Sequence, residues 1–580
     1  MTGLPPVQYL TWIDNLTIVL ALLGIFYVSR QLGKKAQSMD AYYRANKSLP
    51  WSLAVGTIAA SWYGGNGTIG TVGYTGTMGI SAFFIWSIGA HLSRFPLALW
   101  VAPRISVKVN TTMTELLNRF YGKFASFLGA IVLVIGSLSI SEIACAGYVG
   151  QAAWGANKFL VAIIVLAISS ALACMGGLMG VAVTDMIFFF LMINSVALVF
   201  PTAFFNVGGL AGLDAALNSV DPSLMTPLGG TPIGKAIVLI LLCVNMYKDP
   251  AFYQRFSASN GPKTGKRAML TCFSIWLTMD VCLIFTGIIL RALDPGMTVQ
   301  PEVAYIQLVL SYLPPVARGL FILGMMGAII STIDSYYLIG GEIVANDIIA
   351  VLRRKPLTDR WSINTTRVCC VIFAAIGLAS AFQFPLVYDA VIFLSSLGMS
   401  VLFWPVLLAI MYNGKKTNVA GVASMVVGAV SWVWFYFKPV SVEALGGQLD
   451  PVLIALPLSL IAYLIGNQFG TELARGFDSI PGLGIDLTKL EGKAREDALV
   501  EAEAEIKKMV KVEWFGVDGA LCLLYAVLSI IISWGIISRT DWPVGIMAPA
   551  VAALMTTGIF IRYLTEVFTF GKHAGKQHHK

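Results

Sequence analysis

Two hydroxyls stand side by side in the stretch Gly324 to Ile348, GMMGAIISTIDSYYLIGGEIVANDI. Ala328, Ser331 and Thr332 are spaced i, i+3 and i+4, so in a helix they share one face. Sodium is a hard cation and takes oxygen ligands. Ser331 and Thr332 offer two hydroxyls, and the Ala328 carbonyl can join them if its turn is loosened. Two carbonyls from an interrupted neighbouring helix would complete a shell. The pattern has an ordinary reading as well: hydroxyls in apolar helices commonly bond back to the i−4 carbonyl.

A second set of residues is defined by charge in apolar surroundings. His91, Arg94, Glu142, Asp185, Lys248, Asp249, Asp280, Asp334, Glu342 and Asp389 all fall inside apolar runs. Each costs about 2.5–3.5 kcal/mol to insert if the run crosses a bilayer, which makes each a functional candidate. Arg94, Arg255, Glu342 and Asp347 fall near the end of a run and read as interfacial pairs. Glu142 and Asp280 are deep, with no role that spacing assigns. His91 reads as a satisfied core residue rather than a proton relay.

Composition supplies the membrane. The chain has 580 residues, 57% hydrophobic and only 12% charged, with a mean hydropathy of +0.77. A soluble domain carries about 25% charged residues. Half that cannot cover a water-facing surface, so soluble enzymes and disordered chains are excluded. The eight cysteines lie in apolar stretches and form no CxxC pair. They read as small buried hydrophobes, not disulfides or a metal site. No Lys or Arg precedes Arg30, so the first apolar run reads as a retained helix rather than a signal peptide.

Runs of about 20 apolar residues give fifteen candidate spans, near 11–29, 51–73, 80–103, 124–150, 157–177, 180–206, 235–256, 268–292, 316–348, 365–383, 386–412, 418–437, 451–469, 516–538 and 544–564. Positive charge sets orientation, because cytoplasmic loops collect Lys and Arg. With the N-terminus outside, Arg30, Lys34, Lys35, Arg104, Lys108, Lys263, Lys266, Arg267, Arg353, Arg354, Lys355, Lys415 and Lys416 are all inside. Only Lys158, Lys235, Arg291, Arg318, Lys438 and Arg539 fall outside, six of the 39 basic residues. The expectation is a multi-pass plasma-membrane (inner-membrane) protein with its N-terminus outside and its C-terminus cytoplasmic.

The parts are an N-terminal helix and basic loop (1–45), a five-span unit (46–206), an outer loop (207–234), a second five-span unit (235–412), two peripheral spans (413–470), a cytoplasmic segment (471–513), and two last spans with a basic tail (514–580). In the cytoplasmic segment Leu490, Ala494, Leu499, Ile506, Met509 and Val510 outline an amphipathic helix. A solvated linker is the plainer reading of its charges, Lys489 among them.

The two five-span units carry matching interruptions. The second span has Gly64-Gly65-Asn66-Gly67 in its middle, and each Gly costs about 1 kcal/mol against Ala in a helix. The seventh span is broken at Lys248-Asp249-Pro250, where Pro removes a backbone donor. An odd number of spans per unit forces the units to cross in opposite senses. Interrupted spans at matching places point to a binding site at mid-membrane. Unwound backbone there is tolerated only where it lines a cavity or is buried in protein.

ISTIDS beside a broken, Gly-rich early span resembles the sodium:solute symporter family. Thr184-Asp185 in the sixth span and Gln254-Arg255 at the end of the seventh resemble it too, and the likeness runs over roughly 45–415. It implies an all-α polytopic membrane protein with a LeuT-like five-plus-five inverted repeat, one extra N-terminal span and about four extra C-terminal ones. It implies a sodium site on the carbonyls of Ala60, Tyr63 and Ala328 and the hydroxyls of Ser331 and Thr332. Some members hold a second sodium, which would fall here on Asp185, Ser331, Asp334 and Ser335. The carboxylate at Asp334 departs from the commoner family pattern and can equally carry a proton. By analogy with the fold, Trp62, Tyr63, Asn66, Trp86, Asn245, Tyr247, Lys248, Ser395 and Ser396 would line the solute site. Lys248 would pair with a carboxylate solute or with neighbouring Asp249. The aromatic rings would suit a cationic solute or simply pack.

The expected function is sodium-coupled symport of a small organic solute by alternating access, with the sodium ion as cofactor. The expected partners are the solute and the lipid bilayer, with no nucleic acid, and the sequence does not fix the oligomeric state. Proton coupling through Asp185 and Asp334 is the first rival. A transporter-like solute sensor is the second, disfavoured because no kinase sequence is present. An ion channel would need a repeated pore loop or charged ring. An enzyme would need a nucleophile–base set or metal cluster, and neither appears.

Overall fold

A computed structural model describes residues 3–34, 38–109, 112–353, 358–384, 386–473, 479–480, 483–487 and 490–573. Lys35, Arg354, Lys355 and Lys489, together with parts of the 471–513 segment and the end of the tail, lie outside the described residues. The described chain is almost wholly helical, with two short antiparallel pairs, Ser441–Val442 with Gly447–Gln448 and Ser479–Ile480 with Ile485–Asp486.

Eleven described helices are long and apolar enough to cross a membrane, or twelve counting one bent pair. The difference from fifteen lies in how interruptions divide the chain. The helix Lys158–Asn206 has 49 residues and, if straight, would be about 74 Å long at 1.5 Å per residue, more than twice a bilayer core of about 30 Å. It is not straight. Gly177 inside it has φ 56° and ψ −169°, a conformation open essentially to glycine alone. Ser169, before Gly177, reaches the Ile330 carbonyl (3.5 Å), while Phe188, after it, meets Gly327 one turn away. The chain therefore doubles back at Gly177, and the fifth and sixth spans are two limbs of one hairpin.

Two other spans are missed by the length test because they are built from pieces. The second runs Trp51–Trp62, Asn66–Gly70 and Thr71–Met78. The third runs from Phe83 to Lys108 with wide π-type turns at Phe83–Gly89 and Leu97–Val101. The seventh bends by 45° between Ile233–Lys248 and Pro250–Ala258.

Burial separates a centre from a rim. The central window of the eighth span, Pro262–Leu293, is 100% buried, and that of the ninth, Ala317–Ile349, is 94% buried. The first and the fourteenth reach 17% and 28%. Leu20, Leu23 and Tyr27 of the first and Ile530 and Trp534 of the fourteenth are exposed, as the lipid-facing side of a rim helix requires. The 471–513 segment is more than a solvated linker. Its helix, Gly492–Met509, buries Ala502 and Ile506 in a small second core with Val510, Val107, Ile480 and Leu487. Lys108 pairs with Glu503 across this contact.

Candidate functional site: two broken helices beside a cavity

The first limb of the second span ends where the Tyr63 N–H donates to the Ala59 carbonyl (3.0 Å). Tyr63 itself has left helical geometry, at φ −91° and ψ 51°. The carbonyls from Ala60 onward thus lie past the last bond of that limb. Glycine is needed here for close approach. A Cβ on Gly64 would lie 2.4 Å from Thr332 Oγ1 and 2.6 Å from Glu142 Oε1, and one on Gly65 would lie 2.5 Å from Cys145 Cβ and 2.7 Å from Ile329 Cγ1. The backbone of the break is pressed between the fourth and ninth spans.

Glu142 caps the second limb. Its carboxylate accepts from the Gly65 N–H (2.6 Å) and the Asn66 N–H (3.3 Å), where unsatisfied donors and the helix dipole favour a negative group. It reaches them because the fourth span is itself interrupted. Lys123–Gly136 ends, Ser139 takes φ 51°, and the helix resumes at Ile140. This third break was not expected, since 124–150 reads as one unbroken apolar run.

On the ninth span, Ser331 donates to the Ala328 carbonyl at 2.9 Å and Thr332 to the same oxygen at 3.0 Å. The helix is continuous from Ala317 to Glu342, so the Ala328 turn is not loosened. Each hydroxyl spends its proton on Ala328 and keeps oxygen lone pairs for another partner. Thr332 faces the break and the cavity. Ser331, Ala60 and Ala328 are fully buried.

Asp185, Asp334 and Ser335 converge one turn further along the ninth span, around a cation supplied by the protein. Asp185 Oδ2 accepts from Thr57 Oγ1 (2.5 Å) and lies 3.6 Å from Arg255 Nη2. Arg255 donates to Thr57 Oγ1 (2.9 Å), the Ala251 carbonyl (3.1 Å) and Ser335 Oγ (2.6 Å). Ser335 in turn contacts Asp334 Oδ1 (3.5 Å). Asp185 Oδ1 and Asp334 Oδ2 are buried with no hydrogen-bond partner. Two carboxylates thus face one guanidinium.

The interfacial reading of Arg94 and Arg255 is corrected here, since both are among the largest fully buried side chains. The bend in the seventh span turns Arg255 inward. Arg94 donates to the Cys243 carbonyl (2.9 Å), and its guanidinium stacks 4.1 Å from the Trp62 ring, a cation–π contact.

A cavity lies against the breaks of the second, fourth and seventh spans. Of the expected solute residues, Trp62, Tyr63, Asn66, Trp86, Asn245, Lys248 and Ser395 line it. Tyr247 and Ser396 do not. Tyr247 donates to the Ser93 carbonyl (3.1 Å). Ser396 donates to Asp450 (2.6 Å) and accepts from the Trp432 indole (2.7 Å), facing the peripheral spans. Asp280 and Tyr388 are lining residues that spacing did not find. Asp280 accepts from the Tyr63 hydroxyl and lies 3.6 Å from His91 Nε2. Tyr388 packs edge-on to Trp86 at 4.6 Å.

A helical membrane bundle with interrupted spans meeting a hydroxyl-bearing helix beside a cavity defines a secondary transporter. The chain belongs to the sodium:solute symporter family, whose profile matches residues 42–428. It is 25% identical over 411 residues to the high-affinity proline transporter PutP of Bacillus subtilis, covering 69% of this chain and 87% of that one. It is 23% identical over 485 residues to the sodium/pantothenate symporter of Escherichia coli, covering 79% and 97%. The structure of a Na+-coupled sialic acid symporter in a substrate-bound outward-open state superposes with a TM-score of 0.67 at 14% identity, over 80% of this chain and 99% of that one. The fold is therefore the LeuT-like inverted repeat with extra spans at both ends. Family and fold are those of transporters rather than enzymes.

Proposed function

We propose that this chain is a sodium-coupled symporter that carries a small organic solute across the plasma membrane by alternating access, with its N-terminus outside and its C-terminus in the cytoplasm. The observation that carries this reading is the contact of Gly64, at the break of the second span, with the Thr332 hydroxyl of the ninth. Sodium, a transported ion here, would bind to the carbonyls of Ala60 and Tyr63 and the oxygens of Ser331 and Thr332, with Ala328 sharing its carbonyl. Binding would knit the two spans together and favour one access state of the solute cavity. Inward movement of one sodium yields about 2.3 kcal/mol per 100 mV, besides its concentration gradient.

Purified protein tests this directly. Sodium is expected to raise the melting temperature in a saturable way that potassium and choline at equal ionic strength do not. Ser331→Ala with Thr332→Ala should abolish that response and sodium-stimulated uptake while the protein still inserts and elutes as one species. An unchanged sodium response in the double variant overturns the site.

The excess of one carboxylate in the Asp185–Asp334–Arg255 cluster supports a second positive charge there, either a second sodium or a proton. Uptake that persists without sodium and follows a pH gradient would select proton coupling.

A further inference from the structure

Four charged residues line the cavity: Glu142, Lys248, Asp249 and Asp280. The three carboxyl groups are already satisfied. Glu142 holds two backbone N–H groups of the second span. Asp249 caps the helix after the break, accepting from the Ala251 N–H (2.8 Å) and the Tyr336 hydroxyl (2.6 Å). Asp280 holds the Tyr63 hydroxyl. Lys248 differs. It is only 9% exposed, yet its ammonium has no hydrogen-bond acceptor and no ion-pair partner among the described residues.

The reason is local. Asp249, the obvious partner, is turned back along its own chain by the N-cap bond and held by Tyr336. Lys248 ends the tight turn Val244–Lys248, and its side chain reaches across to the eleventh span. The ammonium lies against Gly398, where a Cβ would approach it to 2.3 Å. Glycine leaves the ammonium room to sit there. One turn back, the Asn245 side-chain oxygen is also buried without a partner, and Asn245 lines the same cavity. A buried cation without a hydrogen-bond acceptor is disfavoured. The Lys248 ammonium is complementary to a carboxylate, and the Asn245 side-chain oxygen, an acceptor, to an N–H or O–H of the same molecule. Trp62, Trp86 and Tyr388 offer apolar surface for the rest of such a molecule.

We infer that the transported solute is a small organic monocarboxylate whose carboxylate binds the Lys248 ammonium, with Gly398 keeping the ammonium in place. This rests on reading the cavity as the solute site. Lys248 is the one cation among the four charged lining residues, so a carboxylate has one place to bind, and binding would give its buried ammonium an acceptor. The solute site would then be most stable when occupied.

The test uses full-length protein in detergent and sodium chloride, titrated with propionate, pyruvate, benzoate and L-proline, with the amide of each, and with glucose and choline. The expected result is that at least one acid raises the melting temperature saturably and its amide does not. Lys248→Met should weaken that acid at least tenfold, and Lys248→Arg should restore part of the loss. Gly398→Ala, which keeps the lysine but displaces its ammonium, should also weaken it. The inference is overturned if no acid stabilises, if amide and acid act alike, or if Lys248→Met binds the acid unchanged. Sodium against potassium is measured on the same protein. An acid response without a sodium response would overturn the coupling and leave the carboxylate site standing, and the reverse would do the opposite.

Discussion

Two regions one turn apart on the ninth span are built in opposite ways. Around Thr332, neutral hydroxyl and carbonyl oxygens meet an interrupted helix at the edge of a cavity, with the Glu142 carboxyl group capping the helix beyond. Around Asp334 and Ser335 the groups are charged, fully enclosed, and already built around Arg255. In the sodium-coupled reading proposed above, the first takes up a cation and releases it, because hydroxyl and carbonyl ligands compete with water on modest terms. The second has a covalently fixed cation that cannot leave. The proposed exchange of sodium falls in the first region, while in the second Arg255 already fastens the second, sixth, seventh and ninth spans together.

The most damaging way to break this contrast is Arg255→Met. It strands two buried carboxylates, and removing one partner of a buried ion pair costs about 3–5 kcal/mol. We expect a large drop in the melting temperature, with partial recovery in Asp185→Asn/Arg255→Met, measured by thermal unfolding in detergent. Full stability of the single variant would mean that the cluster does not depend on its guanidinium.

Gly64→Ala strikes the neutral region. Its Cβ would lie 2.4 Å from the Thr332 hydroxyl, and overpacking of this kind costs about 1–3 kcal/mol. The sodium-dependent rise in melting temperature should fall with it, whereas Arg255→Met should lower the baseline more than the sodium increment.

Glu142→Gln keeps the shape of the cap but replaces two charge-assisted acceptor contacts with one neutral acceptor. A loss of about 1 kcal/mol follows from the usual net value of such bonds, again read as a melting shift. The smallest effect on transport is expected for Tyr247→Phe, which lies outside the cavity. It should leave solute affinity within about twofold, because the net hydrogen bond removed is of order 1 kcal/mol and touches no ligand. A larger loss of affinity would redraw the cavity wall.

How much of this could be read beforehand depended on which residues leave marks. The breaks in the second and seventh spans were legible because Gly64-Gly65-Asn66-Gly67 and Asp249-Pro250 are poor helix interiors. The break before Ile140 was not. Ser137-Leu138-Ser139 holds no Pro, and such residues are common in intact membrane helices, so only Ser139 at φ 51° reveals it. Spans five and six were separable by length, at about 20 residues to a span. The depth of Arg255 was misjudged because counting along a span assumes it is straight, and the 45° bend invalidates the count. Asp280, Tyr63 and His91 come from three different spans, and no spacing within one helix could bring them together. Ser396 was assigned to the cavity because the eleventh span borders it, yet adjacent residues on a helix point about 100° apart, so Ser395 faces inward and Ser396 faces Trp432.

The eighth span, its apolar stretch wholly wrapped by protein, also carries an implication for biosynthesis. Asp280 would be an ill-suited guest among acyl chains, but Tyr63 and His91 are synthesised earlier and wait in the bilayer to receive it. The other end of the same helix has no such advance company. Lys266 and Arg267 find their carboxylate at Asp518, some 250 residues later in the polypeptide. Until the ribosome has delivered the fourteenth span, that end of the central helix goes without its buried counter-charge, so closing the core depends on segments added at the rim near the close of translation.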